Sequence, residues 1–220
     1  SRTSSDNMNA ERTSSFDIGY ETYFNNLGLG FNITYFDIEI EDPLMGSNVD
    51  YIQQNYAGGK NTSKGIELAT NWTDNKKLNI GFNYTLTKSY SGMDCDKPKK
   101  DAFGYTSCID LNNGPIDSAM VRVPLHAISS KINYQINKDL NSSLLLTYKG
   151  RTRDYGGADY SFRDQILDEY LLLDLVSSYK IGEGLKFNFS LKNVFDKNYE
   201  NALDYSGMPR TMNIGLKMKY

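Results

Sequence analysis

The stretch TMNIGLKMKY, residues 211–220, alternates apolar and polar side chains up to its last residue. The even positions are Met212, Ile214, Leu216, Met218 and Tyr220, and the positions between them are polar or small. Successive side chains of a β-strand point to opposite faces of a sheet, so a period of two predicts a strand with one apolar face and one polar face. The stretch therefore predicts an amphipathic strand.

The same alternation recurs along the rest of the chain and predicts about nine strands and no convincing helix. The stretch QILDEYLLLDLVSSY, residues 165–179, is interpreted as a strand because Leu171, Leu173 and Leu175 share one strand face, with a helix as the alternative. The other alternating sets are Phe16 to Tyr20, Leu29 to Tyr35, Leu78 to Leu86, Ile128 to Ile136, Leu144 to Tyr148 and Leu185 to Leu191.

One stretch admits two interpretations. YIQQNYAGGKNTSKGIELATNW, residues 51–72, is either two strands divided at 57–61 or one long strand with a bulge near Gly58 and Gly59. We expect one strand, because that interpretation keeps the alternation of short and long connections described next.

The connections between the predicted strands alternate in length. Short turns are predicted at 24–27, 73–77, 137–141 and 181–185, and long polar loops at 42–50, 91–120, 154–168 and 195–209. This pattern is typical of an up-and-down transmembrane β-barrel with one plain and one elaborated end. A soluble β-sandwich binding module, with the apolar faces as its core, is the alternative. Nine strands would leave two open edges, which lipid does not tolerate, so we expect part of a larger barrel.

Composition narrows the function classes. The chain has 220 residues and a net charge of −3, so it lacks the basic surface that nucleic acid requires. No apolar run is long enough for a transmembrane helix, although barrel strands need only about 9–11 residues, half of them polar. The polar first residues contain no signal peptide, so we expect a mature form, a cut piece or a cytoplasmic chain.

Three segments resemble TonB-dependent outer-membrane receptors. At the C-terminus, Asn193-Val-Phe-Asp-Lys-x-Tyr199 is followed by Pro209-Arg210 and by a final strand that ends on an aromatic residue, Tyr220. The family commonly has Pro-Gly-Arg and a final Phe at these places. NMNAERTSSFDIGYE is similar to a second family segment through Glu11, Ser14 and Gly19, and NYAGGKNTSKGIEL to a third through Asn55, Gly65, Ile66 and Glu67.

The resemblance implies an all-β, antiparallel up-and-down transmembrane barrel of about 22 strands, of which residues 1–220 would be the C-terminal portion of about nine strands. The plug domain with its TonB box is expected to be absent from this chain. The implied function is import of a large scarce nutrient, cobalamin-like or a ferric siderophore, driven by TonB. Expected partners are outer-membrane lipid and lipopolysaccharide, TonB through the absent plug, the barrel-assembly machinery and the ligand. The implied location is the outer membrane of a Gram-negative bacterium.

Within the family, Arg122-x-Pro124-x-His126 together with the FDKNYE ending resembles the cobalamin-receptor subgroup most. His126 by itself is expected to be an interfacial residue that enters a strand. One histidine cannot form a metal site or a catalytic triad alone, so we predict no metal, no cofactor and no enzymatic activity. The alternative is a small outer-membrane barrel enzyme, in which His126 would need an acidic partner such as Asp117.

Three sets of candidate site residues follow. Arginines and aromatic residues in KGRTRDYGGADYSFRD suit a large polar ligand, although they also suit an interfacial girdle or lipopolysaccharide phosphates. These candidates are Arg151, Arg153, Tyr155, Tyr160, Phe162 and Arg163. In the final strand, Asn213, Gly215, Met218 and Tyr220 resemble the signal that the barrel-assembly machinery recognises.

Cys95 and Cys108 are the only cysteines and lie in the longest predicted loop. In an exported protein they would form a disulfide, which would stabilise the fold by about 3 kcal/mol in the chain-entropy model. In a reducing compartment they would stay unpaired. The surrounding MDCDKPKKD contains aspartates, but its lysines disfavour a calcium site and favour a solvated loop.

Overall fold

The structure is a computed structural model and describes residues 2–3, 10–49, 52–57, 60–74, 76–92, 120–156 and 163–218. Nine strands form one antiparallel sheet, in the spatial order β2, β3, β6, β7, β8, β9, β12, β13 and β16. Their bounds are β2 Arg12–Phe24, β3 Leu29–Glu41, β6 Lys60–Thr73, β7 Leu78–Gly92, β8 His126–Gln135, β9 Leu140–Lys149, β12 Tyr170–Lys180, β13 Leu185–Lys192 and β16 Thr211–Met218. The predicted nine-stranded all-β architecture is confirmed.

Seven short strands lie outside this sheet, and each belongs to a long connection or to the N-terminal segment. They are β1 Arg2–Thr3, β4 Leu44–Val49, β5 Ile52–Ala57, β10 Thr152–Gly156, β11 Arg163–Leu167, β14 Glu200–Ala202 and β15 Tyr205–Ser206. β4 pairs with β5, β10 with β11 and β14 with β15 as antiparallel hairpins, and β1 adds to β5 in parallel. The helical alternative for residues 165–179 is wrong, because they form the end of β11 and most of β12.

The connections at the two ends of the sheet differ in length. At one end, which we call the short-turn end, four connections of four residues each occupy 25–28, 74–77, 136–139 and 181–184. At the other end, which we call the long-loop end, the connections 42–59, 93–125, 150–169 and 193–210 contain 18, 33, 20 and 18 residues. The predicted alternation of short and long connections is thus present.

The prediction that residues 51–72 form a single bulged strand is wrong. β5 ends at Ala57 and belongs to a hairpin with β4, whereas β6 begins at Lys60 in the large sheet. Glu41 pairs with Lys60 in the large sheet, and Leu44 pairs with Ala57 in the hairpin. Two residues lie between these pairs on each of the two chain segments, so neither segment carries the extra residue that defines a bulge. The division coincides with Asp42, whose φ is 51°, and with Pro43, which has no N–H to donate.

The two faces of the sheet differ in chemistry, because directly opposed residues on neighbouring antiparallel strands share a face. One face carries a continuous row of apolar and aromatic residues across seven strands. This row is Tyr20, Ile33, Leu68, Tyr84, Ile128, Tyr148 and Leu171. The next row, on the opposite face, is Glu21, Asn32, Ala69, Asn83, Ser129, Thr147 and Leu172.

The apolar face is open to its surroundings along the described part of the sheet. Ile18, Tyr134 and Leu216, taken from one edge, the middle and the other edge, are 61%, 45% and 70% exposed. A β-sandwich would bury this face against a second sheet, so the soluble alternative fails on this observation. Exposed apolar surface costs roughly 25 cal/mol per Å² in water, and a lipid environment removes that cost.

Candidate functional site

The buried side chains of the described chain, apart from Pro43, gather at the long-loop end rather than within the sheet. Four of the seven are polar or charged, and they come from three different connections or strand ends. They are Thr152, Arg153, Asp154, Leu167, Tyr170, Asn193 and Leu203. We call this group the rim cluster.

Asp154 occupies the centre of the rim cluster and is fully buried. Arg122 Nε lies 3.0 Å from each of its two carboxylate oxygens, and the backbone N–H of Leu203 donates to Oδ2 at 2.7 Å. A carboxylate without water must be neutralised and hydrogen-bonded, and these groups do both. Arg122 and Leu203 are 32 and 49 residues from Asp154 along the chain, so three separate segments meet at one side chain.

The backbone around Arg122 is fixed to the same strand. The Arg122 N–H donates to the Arg153 carbonyl at 2.8 Å, and the Val123 N–H closes a turn onto the Met120 carbonyl at 3.4 Å. Arg122 has φ of 65°, in the left-handed region that non-glycine residues seldom adopt. Because the turn is held to β10 through both its backbone and its side chain, this unfavourable conformation is maintained.

Asn193 organises the connection that follows β13. Its Nδ2 donates to the carbonyls of Lys197 and Met208 at 2.9 and 3.1 Å, and its Oδ1 accepts the Lys197 N–H at 2.9 Å. Its own N–H donates to Asp174 Oδ1 at 2.8 Å, which ties the loop back to β12. Asparagine tolerates the positive φ of 49° at this position better than most residues do.

Two further residues of the NVFDKNY segment, Asp196 and Tyr199, also have structural partners. Asp196 accepts the Arg210 N–H at 2.9 Å, and the Tyr199 ring packs against the Tyr170 ring with centroids 4.6 Å apart. A Cβ on Gly207 would lie 2.2–2.4 Å from atoms of the Tyr199 ring, so only glycine fits there. This segment, which carried the resemblance, is therefore a loop-folding motif.

The predicted ligand residues fall on or near the β10–β11 hairpin. Arg151 is exposed just before β10, whereas Arg153 is only 5% exposed and belongs to the rim cluster. Tyr155 faces Asp164 in the hairpin ladder, and Arg163 begins β11 opposite Gly156. Tyr160 and Phe162 lie outside the described residues, as do Cys95, Cys108 and Asp117.

The predicted assembly signal lies on β16, at an edge of the large sheet. Asn213 and Gly215 are on its polar side, opposite Ser190 and Asn188 of β13. Met218 is on the apolar side, opposite Leu185, and is 62% exposed. Tyr220 lies outside the described residues.

The Arg122-x-Pro124-x-His126 segment has local partners for both of its ionisable side chains. Arg122 pairs with Asp154, and His126 Nδ1 lies 2.8 Å from the Tyr84 hydroxyl on the apolar face of the sheet. In the described part of the chain, no group of His, Cys, Asp and Glu is placed to hold a metal ion. Within those same residues, no helix is long and apolar enough to cross a membrane.

The polar face of the sheet forms a broad groove at the middle strands. Among the residues that line it are Asn71, Asn79, Asn83, Ser129, Lys131, Asn133 and Thr147. These polar side chains lie among apolar ones such as Trp72, Ile80 and Leu145, and apolar atoms make up most of the exposed lining, so the groove offers both kinds of contact.

Sequence reasoning missed three participants of the site: Asp154, Asp174 and the Leu203 N–H. Only Asp174 leaves a signal, because it is a lone carboxylate within the apolar run LLLDLV. Asp154 stands in a loop-like RTRDYGG stretch, and a backbone donor such as Leu203 leaves no mark on a sequence.

A nine-stranded antiparallel sheet with an exposed apolar face, a polar opposite face and long connections at one end is typical of part of a transmembrane β-barrel. Residues 2–194 match the family model described as TonB dependent receptor-like, beta-barrel. The chain therefore belongs to the family of TonB-dependent receptors, which are outer-membrane β-barrel proteins of the receptor and transporter type.

Solved structures with a similar fold include an import receptor, a siderophore receptor and an iron transporter. The ferric-catecholate import receptor Fiu from Escherichia coli K12 is 18% identical, with a TM-score of 0.71 over 96% of this chain and 28% of that one. The siderophore receptor PiuA from Acinetobacter baumannii is 20% identical, with a TM-score of 0.73 over 94% and 28%. The FrpB iron transporter from Neisseria meningitidis is 18% identical, with a TM-score of 0.73 over 100% and 33%. The chain thus spans about a third or less of these proteins.

Proposed function

We propose that this chain forms the C-terminal part of the barrel of an outer-membrane receptor that imports a ferric siderophore with energy supplied through TonB. The family match over residues 2–194 carries this proposal. The long-loop end would face the outside of the cell and the short-turn end the periplasm, as in other outer-membrane barrels. The apolar face would contact lipid.

Among the two ligand classes considered, the siderophore is favoured. The similar structures include a ferric-catecholate receptor, a siderophore receptor and the pyoverdine receptor FpvA of Pseudomonas aeruginosa PAO1 bound to pyoverdine. The segment that suggested cobalamin has structural partners instead, because Arg122 neutralises Asp154 and His126 bonds to Tyr84. Structural contacts therefore account for Arg122 and His126 without a ligand.

The exposed Arg151, at the base of the β10–β11 hairpin, is the best-placed described candidate for ligand contact. An arginine offers a fixed set of donors to the oxygen atoms of an anionic iron chelate. Arg153, Tyr155, Tyr160, Phe162 and Arg163 remain proposals for the same ligand surface. For Arg153 this would require leaving a buried position.

Other partners follow from the rest of the surface. Lys64 and Lys88 stand directly opposite each other just beyond the last apolar row of β6 and β7, and both are exposed. Like charges in that arrangement repel, and although Asp37 of β3 stands opposite Lys64 on its other side, an anionic headgroup such as a lipopolysaccharide phosphate would further stabilise the pair. The groove on the polar face would contact the plug, which in the complete receptor also carries the TonB contact. β16, with Asn213, Gly215, Met218 and Tyr220, would be recognised by the barrel-assembly machinery.

The test uses the complete receptor in a Gram-negative host that lacks its own siderophore receptors. We expect radioactive iron supplied as a ferric tris-catecholate to accumulate in cells with the receptor and TonB, but not in cells lacking either. Arg151→Ala should reduce uptake, while Lys138→Ala, an exposed substitution at the short-turn end, should not. Uptake of labelled cobalamin and not of any ferric chelate would contradict the proposal.

A further inference from the structure

We propose that Asp154 is a positioning residue: with Arg122 and the Leu203 N–H it forms a latch that joins three connections of the long-loop end into one rigid body. The joined segments are the turn before β8, the β10–β11 hairpin and the connection between β13 and β16. The body holds the base of the hairpin on which Arg151 stands. Its relation to ligand binding rests on the proposed function, whereas the latch itself does not.

The first argument for the latch is burial. Asp154 has no exposed surface, while the Arg122 side chain that neutralises it is about half exposed at 53%. An ionised carboxylate at such a site is strongly destabilising unless its partners stay in place. Moving either Arg122 or Leu203 away would remove one of the groups that stabilise this buried charge, so the three segments are expected to move together.

The second argument is geometry. The single Arg122 Nε–H is shared between both carboxylate oxygens, and the Leu203 N–H donates to Oδ2. Charge-assisted hydrogen bonds of this kind are about twice as strong as neutral ones. The 2.8 Å bond from the Arg122 N–H to the Arg153 carbonyl adds a second attachment between the turn and β10.

The third argument is the packing around the latch. Thr152 faces Leu167 across the hairpin, and both side chains are buried, as is Leu203 itself. Tyr170, which begins β12, donates its hydroxyl to Asn201 Oδ1 at 2.7 Å, so the β13–β16 connection is attached again close by. The joined body therefore continues into the large sheet through β12.

Rigid joining has a consequence for the ligand. Loops that close over a ligand lose conformational entropy on binding, and a preformed wall avoids that cost. The latch makes the part of the rim that carries Arg151 such a preformed wall. None of the latch bonds described above involves the β4–β5 hairpin, which is therefore expected to move independently of the latch.

The experiment is hydrogen exchange on the complete receptor in detergent, without ligand, followed on peptides that cover 120–126, 150–156 and 198–206. Asp154→Ala should accelerate exchange in all three peptides by roughly tenfold or more, because it removes every hydrogen bond to the buried carboxylate at once. Asp154→Asn keeps an oxygen for the Leu203 N–H but loses the charge that attracts Arg122. It should therefore release 120–126 more than 198–206.

Matched variants separate the latch from general loosening. Arg122→Ala should accelerate exchange in 120–126 and 150–156, and Arg122→Lys should restore part of the protection. Arg210→Ala removes a half-exposed partner of Asp196 in the same connection and should leave all three peptides unchanged. Acceleration confined to 150–156 in Asp154→Ala would overturn the latch. If that variant does not assemble, Asp154→Asn and Arg122→Ala decide the matter alone.

A second readout tests the positioning role. The affinity for a ferric tris-catecholate should fall in Asp154→Ala although Arg151 is intact. Faster exchange with unchanged affinity would overturn the positioning role. If the unaltered receptor binds no ferric chelate, the proposed function fails, and the exchange data still decide whether the latch exists.

Discussion

The large sheet and the rim cluster use opposite means of stabilisation. In the sheet, apolar side chains point outward and remain exposed, and the strands are held by their ladders of backbone hydrogen bonds. In the rim cluster, a carboxylate, an arginine and an asparagine are buried and each has specific partners. The sheet thus depends on its solvent being lipid, whereas the rim must be stable in water and relies on its own polar contacts. Substitutions should therefore obey different rules in the two regions.

The largest effect is expected on the apolar face. Phe82→Arg places a charge in the middle of the band that contacts lipid and should destabilise the receptor by about 2–4 kcal/mol. Asn83→Arg changes the neighbouring residue, which lies on the polar face, and should cost much less. Denaturant unfolding of the complete receptor in lipid vesicles gives both values. Equal losses of unfolding free energy in the two variants would mean that lipid does not contact one face in preference to the other.

At the rim, Asn193→Ala should destabilise the final connection by about 1–3 kcal/mol, because it removes a buried side chain that bonds the backbone groups of Lys197 and Met208. Asn198→Ala removes an exposed side chain of the same connection and serves as the control. Protease sensitivity of residues 193–210 and denaturant unfolding measure the difference. If both variants behaved alike, Asn193 would not organise the loop.

A steric prediction concerns Gly207. An alanine there would overlap the Tyr199 ring, so Gly207→Ala should displace the ring from Tyr170 at a cost of about 1–3 kcal/mol. In the sheet, Gly30→Ala meets only ordinary contacts of 3.4 Å and longer. Tyrosine fluorescence together with unfolding compares the two variants. If Gly30→Ala lowered the free energy of unfolding more than Gly207→Ala, the tighter contact would lie in the sheet and not at the rim.

The smallest effect is expected at the short-turn end. Asp74 Oδ1 accepts the N–H groups of Lys76, Lys77 and Leu78, each at 2.8 Å. These bonds, the one from Leu78 first, lower the pKa of Asp74 below its ordinary value of 3.8. Because the folded pKa is the lower one, the stabilisation is complete above the ordinary value and is lost as the pH falls through the folded value.

Amide exchange of residues 76–78, corrected for intrinsic rates, should therefore rise in the unaltered receptor only at pH values below 3.8. Asp74→Asn keeps the oxygen but cannot titrate, so its protection should not change with pH in this way. Asp74→Ala should lose the protection at all pH values. A pH response in Asp74→Asn equal to that of the unaltered protein would assign the effect to another group.

The two regions also differ in what the sequence predicts. Alternation is a local signal, so nine strands, four short turns and the apolar face followed from residues such as Leu78 to Leu86. The β4–β5 hairpin was not predicted because a single strand bulged at Gly58 and Gly59 preserved the alternation of connection lengths, whereas the structure divides at Asp42 and Pro43. The rim cluster depends on contacts between residues 32 and 49 positions apart, and no periodic pattern reports such contacts.

The unequal connection lengths bear on how such a protein can change over evolutionary time. Each doubling of a flexible loop adds only about 0.6 kcal/mol of closure entropy, so growth from four residues to 33 costs about 2 kcal/mol. Insertions at the long-loop end are therefore inexpensive and leave the strand register intact. At the short-turn end, an extra residue would disturb bonds such as those of Asp74. Changes in connection length, and any change of ligand that they allow, are therefore expected mainly at the long-loop end.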